Sequence, residues 1–382
     1  MGTRPDTTPD SADAADGPVP SADGTGRDAP RPAIAVTLGD PGGIGPEIIA
    51  KTLADPALRR KARFRIYGVR SAIDSAAARA GIDRFWWAVE ADSGRVRTPG
   101  PDDCLLINYE TAAAEYPARA DALGGDLSYR FVQDAISEAL LPRDHPHHAD
   151  AIVTGPISKE AWALAGHTQF PGHTELLARC CGIEKFAMMF HAPPLHDERL
   201  PRPGINVILA TVHIPISQVP AALTIDRVLT TIRLGAGAMK DLGVRSPRLA
   251  VCGLNPHAGE AGLIGSEDRD VIAPAIAAAA SEGIDASGPF PADTIFRRGL
   301  AYPGRPAEFD LVVAMYHDQG LTPLKMLAWD RAVNMTVGLP IVRTSPDHGT
   351  AFDIAGRNIA DPGSFRAAVE LAITAAAARR RA

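Results

Sequence analysis

The stretch AIAVTLGDPGGIGPEIIAKTL, residues 33–53, reads as strand, turn and helix in succession. Residues 33–38 are an apolar run short enough for a buried strand. The turn GDPGGIG follows, and Pro46 and Glu47 suit the first helical turn: the ring presets φ, and the carboxylate meets the positive end of the dipole. The same alternation continues outward. Residues 64–69, 104–108, 151–154, 185–191, 205–212, 248–254 and 311–315 read as strands. Residues 129–141, 175–181, 225–242, 268–280 and 364–378 read as helices, the last with Ser364 as N-cap and Arg379, Arg380 and Arg381 at its end. Near-continuous apolar strands alternating with helices predict an α/β fold with its sheet covered on both faces.

The 382 residues suffice for two domains, and 46% hydrophobic with 22% charged residues is ordinary globular composition. A net charge of -6 gives no basic footprint, so a nucleic-acid partner is not expected. No apolar run reaches the roughly 20 residues of a membrane span. Cys104, Cys180, Cys181 and Cys252 lack C-x-x-C spacing and read as reduced thiols of a cytoplasmic protein. Residues 1–32 carry almost no large apolar side chain and no apolar core of a secretory signal, and read as a disordered tail.

Polar residues crowd at predicted strand ends. The segment 310–356 drives an apolar run into Tyr316-His317-Asp318, then presents Lys325, Asn334, Arg343 and Asp347-His348-Gly349. His213 ends one strand, His257 follows another, His317 ends a third, and His173 sits in FPGHTE. Each histidine taken singly reads as a capped or hydrogen-bonded loop residue. Three together at strand ends suit one divalent cation, with three protein ligands and an open position. Asp318 either orients the His317 ring or caps the following turn. Lys325 and Arg343, in apolar surroundings, suit a substrate anion, the arginine by a bidentate fork. The loop at 39–45 fits neither phosphate-binding glycine pattern, and Glu47 would repel a phosphate at that helix start. The loop is either a tight turn needing positive φ or a wall of the site.

The motifs TLGDPGGIGPE, TGPISK, FPGHTE, TVHIP, CGLNPHAGE, GPFPADTIF, YHDQGL and RTSPDHGTAFDIAG together resemble the 4-hydroxythreonine-4-phosphate dehydrogenase family, in family order from Ala33 to the last helix. The resemblance implies a homodimer of two-domain α/β/α subunits, isocitrate/isopropylmalate dehydrogenase-like and not Rossmann, with the active site near the subunit interface. The domains would be 33–155 with 318–382, and 156–317, the site lying in the cleft between them. It implies His213, His257 and His317 as metal ligands. His173, Thr174, Lys325, Asn334 and Arg343 become substrate contacts, with Lys325 and His317 catalytic. The segment HGTAFDIAGRN also resembles a nucleotide loop of the isopropylmalate enzymes, which would put His348, Gly349, Asp353 and Asn358 against NAD. An Asp there favours NAD over NADP.

The implied reaction is NAD-dependent, metal-assisted oxidation of 4-phosphohydroxy-L-threonine to a β-keto acid that decarboxylates to 3-amino-2-oxopropyl phosphate. The metal would be zinc, with magnesium or cobalt as alternatives. Where many family members carry His-Lys or Asn-Lys, this chain has Ser158-Lys159, which keeps other substrates open: D-threonate or D-erythronate 4-phosphate, or a cyclic diol dicarboxylate. A metal-binding, non-catalytic relative is the alternative of another class.

Overall fold

The computed structural model describes residues 31–93, 104–110, 115–195 and 202–381; nearly all of the expected tail lies outside them. The strands are β1 (Ala33–Thr37), β2 (Arg63–Gly68), β3 (Trp87–Glu90), β4 (Cys104–Asn108), β5 (Ala151–Thr154) and β6 (Ala187–Ala192). They continue with β7 (Ile205–Leu209), β8 (Leu249–Cys252), β9 (Ala286–Phe290), β10 (Leu311–Ala314), β11 (Val333–Val337) and β12 (Val342–Pro346). All join one sheet, in the order β3-β4-β2-β1-β5-β12-β11-β6-β7-β10-β8-β9. Pairings are parallel except at the centre, where β12/β11, β11/β6 and β6/β7 are antiparallel. The two halves of the sheet therefore run in opposite directions. This mixed order is not the doubly wound Rossmann sheet, which is mostly parallel with strand order 3-2-1-4-5-6. No helix of the described residues is long and apolar enough to cross a membrane.

β1, β5, β8 and β10 are buried along their whole length, which is why they read as unbroken apolar runs. Helices flank the sheet. Ile225–Asp241 matches its prediction and is capped by Thr224, whose Oγ1 accepts from Arg227 N at 3.1 Å. The last helix, Gly363–Arg381, differs at its start. Ser364 lies inside it, donates to Ala332 O at 2.6 Å and accepts from Asp347 N at 3.1 Å. It pins the segment carrying Asp347 rather than capping a helix.

Several elements depart from the sequence pattern because glycine or proline interrupts them. Helix Ala122–Ala139 starts well before the predicted 129, with Asp121 accepting from Gly124 N at 2.7 Å. Gly125 is required there: a Cβ would stand 2.0 Å from Ala161 O, so glycine lets this helix meet Lys159–Leu164. Helix His317–Ala328 contains Gly320 and Pro323. The stretch predicted as helix 268–280 opens with a π turn, Asp268–Ile272, before Ala273–Ser281.

One charged group sits deep in the packing. Arg65 is 1% exposed; its Nη1 lies 3.0 Å from Glu138 Oε2, and Tyr67 donates its hydroxyl to the same carboxylate. Burial, first of all, holds the Tyr67 phenol well above its ordinary range.

Candidate active site

A cleft of about 780 Å³ opens where the sheet reverses. Its walls carry Thr154, His173, His213, His317, Lys325 and Arg343, drawn from both predicted domains. Two of the three expected metal ligands meet. His213 follows β7 and His317 follows β10, adjacent parallel strands, and their ring centroids are 5.6 Å apart. His317 Nδ1 is 2.6 Å from Asp318 Oδ1, the contact that the first of the two readings of Asp318 requires. That contact leaves Nε2 as the free face of the ring. Burial lowers the His213 pKa, and neighbouring His317 and Lys159 lower it further, favouring the neutral, ligating imidazole.

His257 does not join them within one chain. It follows β8, the next strand over, but does not line the cleft, and among the described residues no three His, Cys, Asp or Glu side chains gather to hold a metal. The reason is local. Residues 257–261 form a left-handed turn with φ between 43° and 78°, four of the five not glycine. Such backbone costs about 1–2 kcal/mol per non-glycine residue and persists only under outside restraint. Asp268, 3% exposed, supplies it by accepting from Leu254 N at 2.7 Å and Asn255 N at 3.1 Å. Gln319 ties this loop to the His317 strand: its Nε2 donates to Gly253 O at 2.8 Å and its Oε1 accepts from Met315 N at 2.7 Å. Sequence reading missed Gln319 and Asp268; the strained turn is visible only in the backbone.

The far wall is a buried polar cluster. Arg343, 3% exposed, donates from Nε and Nη2 to Thr154 Oγ1 at 3.2 and 2.7 Å, from Nη1 to Thr336 at 3.1 Å, and from Nη2 to His173 Nδ1 at 3.2 Å. Four of its five N–H groups are thus engaged within the chain, which leaves one, on Nη1, for a substrate anion. These bonds make Arg343 part of the cleft wall. Burial brings its pKa down to about 10, so it stays charged near neutrality. Burial, then Arg343 and Lys159, hold the His173 pKa well below its ordinary value. A neutral ring accepting at Nδ1 must carry its proton on Nε2, which is buried without a protein partner. Asn334 Oδ1 is likewise buried and unpartnered, and Asn334 and Thr174 both line the cleft. Lys325 reaches the cleft two turns after His317 and pairs with Asp347 at 3.0 Å.

The four expected cofactor residues divide. His348 and Gly349 line the cleft, whereas Asp353 and Asn358 do not. Asp353 offers its carbonyl to Arg357 Nη1 at 3.2 Å, and Asn358 donates to Arg79 O at 3.1 Å. Between them, Ala355 and Gly356 wall a second hollow of about 320 Å³ shared with Gly42, Gly43 and Glu47. The 39–45 loop therefore does border a pocket. Only Gly39 in it needs positive φ, at 76°, as the chain packs under Pro156. Glu47, expected to repel an anion, is a clasp: Oε1 accepts from Ala360 N at 2.7 Å and from Lys51 at 2.8 Å.

Asp40, in the same loop, is 2% exposed with Oδ2 unpartnered, while Gly42 N donates to Oδ1 at 3.0 Å. Burial raises its pKa to about 6, against the Gly42 bond. Because the folded pKa exceeds the unfolded one, the native state holds this proton more tightly. The associated stability is present below pH about 3.8 and lost as pH rises through about 6. Asp40→Asn is expected to match wild type in chemical denaturation near pH 3.5 and to exceed it at pH 7 by up to about 3 kcal/mol. A variant no more stable than wild type at pH 7 would contradict this.

The fold and cleft define a mixed α/β protein with a polar pocket at its sheet reversal, five Lys or Arg facing four acids. The chain matches the family model for pyridoxal phosphate biosynthetic protein PdxA over residues 61–372. It is 42% identical over 352 residues to the 4-hydroxythreonine-4-phosphate dehydrogenase of Trichlorobacter lovleyi, covering 92% of this chain and 99% of the relative. It is 41% identical over 335 residues to the D-threonate 4-phosphate dehydrogenase of Cupriavidus necator, covering 87% and 94%. A crystal structure of 4-hydroxythreonine-4-phosphate dehydrogenase from Klebsiella pneumoniae is similar with a TM-score of 0.74 and 38% identity, covering 91% of this chain and 98% of that one. The chain belongs to the pyridoxal phosphate biosynthetic protein PdxA family.

Proposed function

We propose that this chain is an NAD-dependent, metal-assisted dehydrogenase of a four-carbon hydroxy-acid phosphate, with 4-phosphohydroxy-L-threonine as substrate. The carrying observation is the His213–His317 pair, 5.6 Å apart in a cleft that also holds the buried His173–Arg343 cluster. The donor set fits a divalent cation in two of its three ligands: neutral imidazole at His213 and an Asp318-oriented ring at His317. We assign the third, His257, to a second copy of the chain. Leu263, close after it, is 85% exposed, and Met326 and Trp329 on the helix that begins at His317 are 83% and 79% exposed. Large exposed apolar side chains beside an incomplete site suit a homodimer interface.

When bound, the cation would polarise the reacting hydroxyl and NAD would accept the hydride. His173 Nε2–H donates to a substrate oxygen, and the Asn334 amide fixes its orientation. Lys325, steadied by Asp347, exchanges the hydroxyl proton at its Nζ. Burial holds the Asp347 pKa above the usual carboxylate range even with Lys325 beside it. His348 and Gly349, which line the cleft, would meet the coenzyme there. Asp353 and Asn358 would then serve the coenzyme from farther along that loop. The predicted domains 33–155 with 318–382 and 156–317 would shield the substrate between them.

D-threonate 4-phosphate is the second reading, since a relative of that name is nearly as similar, 41% against 42% identity. NADH formation by purified protein with each phosphate ester tests both readings. Turnover with 4-phosphohydroxy-L-threonine, abolished by a chelator and restored by zinc, is expected. Turnover with the threonate ester alone selects the second reading, and none with either, metal supplied, overturns the assignment.

A further inference from the structure

β7 and β8 both lie beside β10, and the three strands lead to His213, His257 and His317 in turn. The two pairings end differently. Between β7 and β10 the ladder runs past both strands. Ala210 N donates to Ala314 O at 2.8 Å, and Thr211 donates to Met315 O from N at 3.1 Å and from Oγ1 at 2.8 Å. That ladder sets His213, two residues after Thr211, against His317, two residues after Met315. Between β8 and β10 the paired register stops at Val251 and Val313. Two residues farther on, a side chain takes the place of a ladder rung. Gln319 Oε1 accepts from Met315 N at 2.7 Å, and its Nε2 donates to Gly253 O at 2.8 Å. A carboxamide suits this place because it carries an acceptor and a donor on one end.

Gly253 is the foot of the left-handed turn. A Cβ there would stand 2.8 Å from Ala258 Cα and 2.6 Å from Asp268 Oδ1, so the turn and the carboxylate close directly over it. Asp268 holds the next two residues through Leu254 N and Asn255 N, and Asn255 Nδ2 also donates to it at 2.9 Å. His257 itself is exposed, so packing of its own ring does not fix it. Backbone at positive φ with non-glycine residues persists only where its surroundings hold it. The direction of His257 is therefore set from below, at Gly253 and Asp268.

We infer that Gln319 is a positioning residue that fixes the His257 turn to the end of the His317 strand. It sets where the histidine a chain lends to its partner stands relative to the histidine it keeps. Gln319 does not line the cleft, so it acts through the two histidines. The inference rests on the proposed metal site and on the assignment of His257 to a second copy.

The probe is cobalt(II) added to metal-free protein, followed by its visible absorption and by calorimetry. Gln319→Met keeps the length and removes both hydrogen bonds. It is expected to bind cobalt about 10- to 100-fold more weakly than wild type, with a changed visible band. Gln319→Glu keeps the acceptor for Met315 N and loses the donor to Gly253 O. Its added negative charge would by itself favour a cation, so weaker cobalt binding there reports the lost tie. Glu138→Ala, which disturbs packing outside the cleft, should lower Tm yet bind cobalt within about twofold of wild type. Mixed dimers place the effect. Where His257→Ala and His317→Ala subunits rebuild one site, adding Gln319→Met to the lending His317→Ala chain should raise the cobalt needed for half-maximal recovery about 10-fold or more.

Wild-type cobalt affinity and band in Gln319→Met and Gln319→Glu overturn the inference and leave the metal site standing. So does a loss in Gln319→Met no larger than in Glu138→Ala, or equal recovery with and without Gln319→Met in the lending chain. If wild type takes up no cobalt, the metal reading and the inference fall together.

Discussion

Replacing His317 with alanine is expected to lower kcat by at least about 10³-fold and to strip the purified protein of its divalent metal. Its Nδ1 is fixed by Asp318 at 2.6 Å, so the ring presents Nε2 toward the cleft it shares with His213. Without it, His213 is the one expected metal ligand left in the cleft of a single chain, too few for tight binding of a divalent ion. The side chain is 37% exposed, so the substitution leaves no large cavity, and far-UV circular dichroism should not change. His213→Ala should behave alike. His257→Ala should lose metal equally, although its ring stands outside the cleft of its own chain. If the second copy supplies it, mixing inactive His257→Ala and His317→Ala subunits should recover part of the activity, because a mixed dimer rebuilds one complete site. Full metal content with unchanged kcat in His317→Ala would sink the assignment. Failure of mixed subunits that do exchange would remove His257 from the shared site.

The second large effect is on stability. Glu138→Ala should cost about 3–5 kcal/mol, because it strands the guanidinium of Arg65, 1% exposed, in the packing between β2 and the sheet-covering helix. It also leaves the Tyr67 hydroxyl without its acceptor. Arg65 keeps its bond to His148 O at 2.7 Å, which does not neutralise the charge. For a chain this long, the cost corresponds to roughly 6–15 °C in Tm. Glu370→Ala is the control: its 3.3 Å pair with Arg366 is half-exposed and should cost under about 1 kcal/mol. Equal Tm values for the two variants would show that Glu138 does not hold Arg65.

Much of the fold is legible in the amino-acid order. The apolar runs at β1, β5, β8 and β10 announce strands buried on both faces, because nearly every side chain of such a strand is apolar. Helix Ile225–Asp241 is legible through its apolar spacing, while its Thr224 cap, which the sequence reading did not single out, involves only the next three residues. Candidate residues cluster at strand ends because a mostly parallel half-sheet delivers loops to one edge, and His213 and His317 meet there. Helix His317–Ala328 is hidden in the sequence, since Gly320 and Pro323 weaken the helical pattern and packing on β7 and β10 overrides them.

What residue order determined by itself was burial and alternation: an α/β chain with its polar chemistry at strand ends. Those properties depend on neighbours a few positions apart, and periodicity records them. What only the tertiary structure decided was the state of each charged group. Arg343 is tied to Thr154, a contact spanning 189 residues, and Lys325 to Asp347. Glu47 became a clasp through Ala360, 313 residues away, and His257 was turned aside by a left-handed loop held from Asp268 and Gln319. A side chain's charge is written in the sequence, but its partner is chosen by which strands come to lie side by side.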